Sequence, residues 1–514
     1  MEYGKILRTI CHLRPTQVVY QIATRLRRVR FREAVCPAEM KGERGVALHT
    51  SFIDKPQSVE GDAFTFLNVT RRFADWNDTA QGMLWAYNLN YMDYLLQADM
   101  DAFDGRMWIE RFLRDLPART IGLDPYPTAL RMMNWAKFFA KYYTDRPIPE
   151  PWRNAMYAQL LHLERRREYH LLGNHLLEDA FALYIGWLHF DEQGSHLQAA
   201  SKLLIAQLHE QTLTDGAHYE QSPMYHCILL DRLLDALNFA RARGDSLATE
   251  LSDVASRWLG WLESIAWKDG SIPLFGDSAR GIAPSVEEIR QYAHRLGLQW
   301  SSTGLRESGY RKLQNARMEV VADIGQVTAT YQPGHTHSDV FTFEMRVDGK
   351  PFVVDTGIST YEKNARRQYE RSYEAHNVAQ MENEEPFEVW GGFRVGRTAR
   401  VSVLEDETHR IAARRKSGKR HAVRTFAITD TQLVITDTLS ASEGVARFHL
   451  SSEVTDVKVQ GTSIHTPLAQ LHFKADKTNI ALKRVSVAEA YNQLQETICI
   501  EVTFSGTLTT TIET

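Results

Sequence analysis

Cysteine is scarce in this chain. Four cysteines occur in 514 residues, at positions 11, 36, 227 and 499, and no two of them form a CxxC pair. That spacing excludes a zinc knuckle and a dense disulfide framework. No run of about 18 apolar residues occurs, so no transmembrane helix is expected. The opening 32 residues also lack the unbroken apolar stretch and small-residue cleavage site of a secretory signal. The expected location is therefore the cytoplasm, with the periplasm as the alternative. Charge of either sign is in little excess, −4 in total at pH 7, which argues against a dedicated nucleic-acid binder. Apolar residues (43%) and aromatics (10%) are not scarce, and disorder is excluded for most of the chain.

What is present changes period near residue 310. Upstream, Leu230, Leu233, Leu234 and Leu237 recur at helical spacing, and Leu197, Ala200, Leu204 and Leu208 form a second stripe. Ten of the eleven tryptophans lie at Trp300 or earlier, which sets the first part apart in composition as well. Downstream the period falls to two: Ile500, Val502 and Phe504 alternate with Glu501 and Thr503. Asp348-Gly349 between two apolar runs is a hairpin signal. Helices followed by strands predict an α+β multidomain protein, with a helical domain over 1–305 and an antiparallel β-sandwich over 306–514. The helical part suits an (α/α) toroid or an irregular bundle, and periodicity alone leaves both open. The basic runs 25–32 and 413–420 read first as solvated faces or loops, and second as help in holding an anionic polymer.

Four clusters carry candidate chemistry. Gly173-Asn174-His175 precedes an apolar run, where Asn174 also suits a helix N-cap. His218 to His226 packs ionisable side chains, Tyr219, Glu220 and Tyr225 among them, around Pro223. His335 and His337 stand in HxH spacing and share a face if the stretch is extended. Asp355 and the run Arg371 to Asn377 follow, and His337, Asp355 and His376 make a ligand mix suited to zinc. A strict two-residue turn at Asp348-Gly349 pairs Asp355 with Thr342, five residues from His337. At about 3.3 Å per residue that is too far for one ion, so a bulge, a bend or a further turn is required.

Together these motifs resemble the heparinase II/III superfamily of polysaccharide lyases. The resemblance rests on residues 84–91, Gly173-Asn174-His175, Glu220 to His226 and Asp269 to Asp277. Its most specific part is Gly334 to Asp339, Val354 to Gly357 and Ala375 to Asn377, in that order. It implies an (α/α) toroid followed by an antiparallel β-sandwich, and cleavage of a uronic-acid-containing polysaccharide by β-elimination. Such a reaction must neutralise the uronate carboxylate, remove the C5 proton and protonate the departing O4. By the resemblance, Asn174 with His175 nearby neutralises the carboxylate, and Tyr225 and His335 form the acid/base pair. Tyr219 is the competitor for Tyr225.

The resemblance also implies a structural divalent ion, most plausibly zinc, on His337, Asp355 and His376. Tyr361 and Arg371 would line the cleft, with Arg371 pairing a carboxylate or sulfate. The expected partner is an anionic polysaccharide, weakly sulfated or unsulfated because the chain is not basic, and the oligomeric state stays open. Two other readings remain. One is a glycoside hydrolase using Glu178, Asp179 and Asp277; the other is a glycan-binding protein without turnover.

Overall fold

A computed structural model describes residues 2–26, 29–116, 120–190 and 194–514. Eleven helices lead the described chain: α1 (Glu2–Ile10), α2 (Pro15–Leu26), α3 (Met83–Tyr91), α4 (Ala102–Asp115), α5 (Pro125–Tyr142), α6 (Glu150–Arg166), α7 (Gly173–Phe190), α8 (Ser195–Gln211), α9 (Pro223–Arg243), α10 (Ala248–Ile265) and α11 (Val286–Arg295). The helices α5, α7 and α9 are buried on nearly every side and pack successively against one another as an inner layer. Charges inside it are paired, as Lys137 of α5 is with Asp235 of α9 (2.6 Å). Of the 18 residues of α7, 17 are buried, and His175 is the exception. Helices α6, α8 and α10 cover this layer from outside, each burying one stripe. The Leu197 stripe lies on α8 and the Leu230 stripe on α9, and all eight residues are buried. This alternation of inner and outer helices is the toroid arrangement.

A small antiparallel meander, β1 (Val59–Glu60), β2 (Ala63–Phe66) and β3 (Val69–Arg72), interrupts the helical part. Its strands are too short to show a period of two, so the sequence pattern did not announce them. Phe64 and Phe66 pin it to Trp108 and Trp85.

The second half is antiparallel sheet throughout. Strands β4 (Tyr310–Gln314), β5 (Met318–Asp323), β6 (Phe343–Val347) and β7 (Lys350–Val353) form a four-stranded sheet in sequence order. It packs on a larger sheet in which β8 (Gln432–His449) and β9 (Gln493–Glu513) are the long central strands. Phe343 of the small sheet meets Phe426 and Phe448 of the large one, at ring separations of 5.6 and 6.2 Å. The hairpin between β6 and β7 turns on two residues, Asp348 (φ 48°) and Gly349 (φ 76°), with Val347 opposite Lys350. Positive φ at both positions is what a two-residue hairpin turn requires.

Candidate functional site

The site lies in a cleft of about 1310 Å³ whose walls come from both halves. Asn174 and His175 enter from the start of α7, Tyr225 from the start of α9, and His335 and Tyr361 from loops of the β half. Two of these helix starts are fixed by local chemistry. Ser222 caps α9 by accepting from the Tyr225 amide (3.2 Å), and its hydroxyl donates to the Asp277 carbonyl (2.8 Å). One serine thus ties the helix bearing Tyr225 to the loop bearing Asp277. Gly173 opens α7 with φ +60°, and a Cβ there would lie 2.3 Å from Glu220 Oε1. Glycine is therefore needed both for the backbone and for the close approach of Glu220.

Asp277 organises the centre. Its Oδ2 accepts from His335 Nδ1 (2.8 Å) and its Oδ1 from His337 Nε2 (2.8 Å), while Arg367 donates to both oxygens (2.5 and 2.8 Å). Burial opposes ionising this carboxyl, yet the Arg367 guanidinium and the two imidazoles outweigh it and hold Asp277 well below the ordinary carboxylate range. An anionic Asp277 accepts only, so His335 carries its proton on Nδ1 and leaves a lone pair on Nε2. That nitrogen accepts from Asn174 Nδ2 (3.1 Å). The His335 ring lies against Tyr225, with centroids 3.9 Å apart. Burial pushes the Tyr225 phenol above its ordinary value, so it is a proton donor at neutral pH, and its hydroxyl is 3.2 Å from that of Tyr361.

Both amide hydrogens of Asn174 are engaged. One goes to His335 and the other to Glu220 Oε2 (2.8 Å), while Glu220 Oε1 accepts from the Asn174 backbone N–H. His175 is the free donor beside it. Its Nδ1 binds Glu168 (2.9 Å), and it lines the cleft. Burial lowers the imidazole pKa, but the Glu168 carboxylate more than offsets this and leaves it raised, favouring a cation.

Arg371 does not line the cleft. It is buried, donating to the carbonyls of Gly392 (2.9 Å) and Thr336 (2.8 Å), and burial pulls its pKa down to about 9. It clamps two loops together, a role its sequence neighbours give no sign of. Tyr219 is likewise buried away from the cleft, near Tyr331, so of the two competing tyrosines Tyr225 is the one that faces it. Glu178 and Asp179 are fully buried and absent from the cleft wall, and all of Asp277 is spent on four donors. The three carboxylates that the sequence offered for a glycoside hydrolase are thus not displayed there.

The distance problem between His337 and Asp355 is solved in two ways. A bulge falls between Met345 and Arg346, and the chain folds back at 339–342, where the Thr342 amide donates to the Asp339 carbonyl. His337 and His376 come to 5.5 Å between ring centroids. His337 Nδ1 and His376 Nε2 are buried without a hydrogen-bond partner, as nitrogens awaiting a ligand would be. Asp355, however, contacts His376 through Nδ1 (2.7 Å), on the opposite edge from the free nitrogen. The carboxylates of Asp277 and Asp355 therefore stand behind the two imidazoles, as orienting groups do in metal sites. Among the described residues no three His, Cys, Asp or Glu side chains gather as a ligand set. Two unpartnered nitrogens are thus available, and Asp355 does not serve as a third donor in this arrangement.

Glu220, Asp277 and Arg367 are the central residues that the sequence reading left without these roles. Glu220 and Asp277 sit inside motifs already singled out, and Arg367 carried no signal.

Comparison with known proteins agrees with this architecture. The family model described as heparinase II/III N-terminus matches residues 132–297, and that described as heparinase II/III-like, C-terminal, matches 298–514. The heparin-sulfate lyase of Bacteroides stercoris is 22% identical over 247 residues, covering 42% of this chain and 36% of that protein. The heparin-sulfate lyase of Pedobacter heparinus is 24% identical over 244 residues, covering 41% and 36%. The matched part thus spans about a third of the length of these curated relatives. A crystal structure of heparinase III superposes with TM-score 0.64 at 15% identity, covering 87% of this chain and 79% of that one. A second heparinase III gene product gives 0.62 at 16%, covering 84% and 74%. At such identities the structures speak to the fold, a helical domain followed by an antiparallel β domain.

Proposed function

We propose, for a chain that belongs to the heparinase II/III-like family, that it is a polysaccharide lyase cleaving a uronate-containing polymer by β-elimination. The observation that carries this reading is the Asp277–His335–Tyr225 stack facing one cleft: a histidine with its lone pair fixed on Nε2, against a tyrosine held protonated. The C5 proton of a bound uronate passes to His335 Nε2, whose lone pair is released from the Asn174 amide, as the C5–C4 double bond forms and the C4–O4 bond breaks. Tyr225 gives its proton to the departing O4. Tyr361, within reach of the Tyr225 hydroxyl, orients that phenol.

The uronate carboxylate gains negative charge in this step, and a fixed donor there lowers the barrier. His175, whose charged form Glu168 favours, takes that role, while Asn174 holds His335 in place through its Glu220-anchored amide. Arg25, Arg280 and Arg394 along the cleft suit an anionic polymer. The names of the relatives favour a glycosaminoglycan-like substrate; a bacterial exopolysaccharide has the same uronate chemistry. A structural divalent ion, zinc by donor type, belongs to the same reading. His337 Nδ1 and His376 Nε2 would hold it, and it would brace the sandwich edge beneath the cleft.

The test is a screen of uronate polymers by the ultraviolet absorbance of the unsaturated product, with wild type and His335→Ala side by side. A rise with one polymer that the variant loses supports the proposal. New reducing ends without that absorbance would replace it with hydrolysis, and binding without either would leave a glycan-binding protein.

A further inference from the structure

Helices α1 and α2 are attached to the body by their polar side chains. Arg8 pairs with Glu388 (2.6 Å), Thr9 donates to the Val395 carbonyl (2.9 Å), and Gln17, fully buried, donates to the carbonyls of Leu171 and Tyr331. Ile6 and Ile10 turn to the cleft and Tyr20 packs on Tyr169, but much of the apolar surface faces away from the body. Tyr3 and Leu7 on α1, and Val19, Ile22 and Leu26 on α2, are exposed, Tyr3 by 84% and Leu26 by 78%. Nine of the twenty exposed large apolar side chains among the described residues fall within 2–26. Val19, Ile22 and Leu26 follow i, i+3, i+7 and so form one stripe. A helix turned inside out in this way loses hydrophobic stabilisation for the isolated molecule.

The charge of the same segment is equally one-sided. Residues 1–32 hold eight Lys or Arg and one Glu, about +7, whereas the whole chain carries −4, so the remaining residues sum to −11. Arg25, Arg30 and Arg32 are exposed. No helix among the described residues is long and apolar enough to cross a membrane. Aliphatic side chains flanked by arginines, on short helices that lie flat, are the chemistry of an interfacial element on anionic lipid. An anionic glycan would use the arginines but not the isoleucine, valine and leucine stripe.

We infer that the α1–α2 segment docks this protein on the surface of a membrane containing anionic lipid. Ile6, Gln21 and Arg25 of the segment also line the cleft, so docking would bring the cleft mouth to the lipid surface. The inference stands apart from the lyase reading, and its test does not use turnover.

The experiment is co-sedimentation of the full chain with phosphatidylglycerol vesicles and with phosphatidylcholine vesicles, at low and high salt. Binding is expected on the former, weak on the latter and reduced by salt. Neutralising Arg25, Arg30 and Arg32 to Gln should weaken it about a hundredfold, at roughly fivefold per charge. Val19→Ser with Ile22→Ser, both exposed and outside the cleft wall, should weaken it at least about tenfold. Four results would overturn the inference: no binding to either vesicle, equal binding to both, binding indifferent to the Val19 and Ile22 substitutions, or a dimer that those substitutions dissociate without any vesicle binding. Loss of retention on an anionic polysaccharide in the arginine variant, with no vesicle binding by wild type, would assign the arginines to the polymer instead.

Discussion

Replacing Asp277 by Asn changes one buried oxygen to an amide and tests the centre of the site. The wild-type carboxylate neutralises Arg367 and orients two imidazoles from a fully buried position. Removing one partner of a buried pair leaves the other charge uncompensated, at about 3–5 kcal/mol. With unfolding entropy near 2.1 cal/mol/K per residue over 514 residues, that is a fall in Tm of about 3–5 °C. Catalysis should suffer far more. The Asn amide donates where the carboxylate accepted, so the His335 proton moves to Nε2 and the base is lost. A buried Asp that sets a catalytic histidine's tautomer is worth about ten-thousandfold in kcat. The double variant Asp277→Asn/Arg367→Met separates the two effects, because it removes the stranded charge but not the wrong tautomer. Tm should recover by most of the lost degrees while kcat stays down. The assay pairs thermal unfolding with the absorbance of the unsaturated product. Should Asp277→Asn unfold and turn over like wild type, or the double variant be no more stable than the single, the account of this centre is wrong.

Gly173→Ala should destabilise by at least about 1–2 kcal/mol from the left-handed backbone alone. It should also cut activity by displacing Glu220 from Asn174, and unchanged kinetics would count against that contact. His175 has a raised pKa, so its positive charge is present below the ordinary histidine range and is lost as pH rises through the folded value. Glu168→Gln removes the largest opposition to burial, and the rise of KM with pH should move to lower pH; a KM profile that does not shift would remove His175 from carboxylate binding. Arg371→Met should lower Tm by about 3 °C, for about 3 kcal/mol of lost charged hydrogen bonds, with KM unchanged; a KM defect without destabilisation would return Arg371 to the cleft. Zinc at a hundred times its Kd should stabilise by about 2.7 kcal/mol, or about 2–3 °C. The gain should vanish in His376→Ala, and an equal gain in that variant would place the ion elsewhere.

The parts legible in the sequence were those set by local pattern. The Leu230 stripe became the inner helix α9, the Ile500 alternation became β9, and Asp348-Gly349 became a two-residue turn. Residues assigned to the site from motifs were partly gathered: Asn174, His175, Tyr225, His335 and Tyr361 share one cleft. What stayed hidden depended on contacts distant in sequence. Arg371 reads as a ligand-binding cation because nothing nearby reveals the Gly392 and Thr336 carbonyls that bury it. Arg367 meets Asp277 across 90 residues, and neither betrays the other. The bulge at Met345 and the fold-back at 339–342 break an otherwise regular register, and no residue type there demands them. On α2 the pattern itself misleads, since Gln17 is buried while Val19 and Ile22 are exposed.

The two halves meet through polar groups that neither half satisfies alone. Asp277 comes from the helical side, and His335, His337 and Arg367 from the β side. Buried polar groups are costly when unpaired, so any slip of one half against the other strands a carboxylate or a guanidinium. Apolar contacts would tolerate such a slip, because hydrophobic burial has little direction. The Asp277 cluster therefore fixes one docking geometry, and that same geometry sets the His335 tautomer and its place against Tyr225. In this protein the contacts that hold the halves in register are the contacts that orient the candidate base.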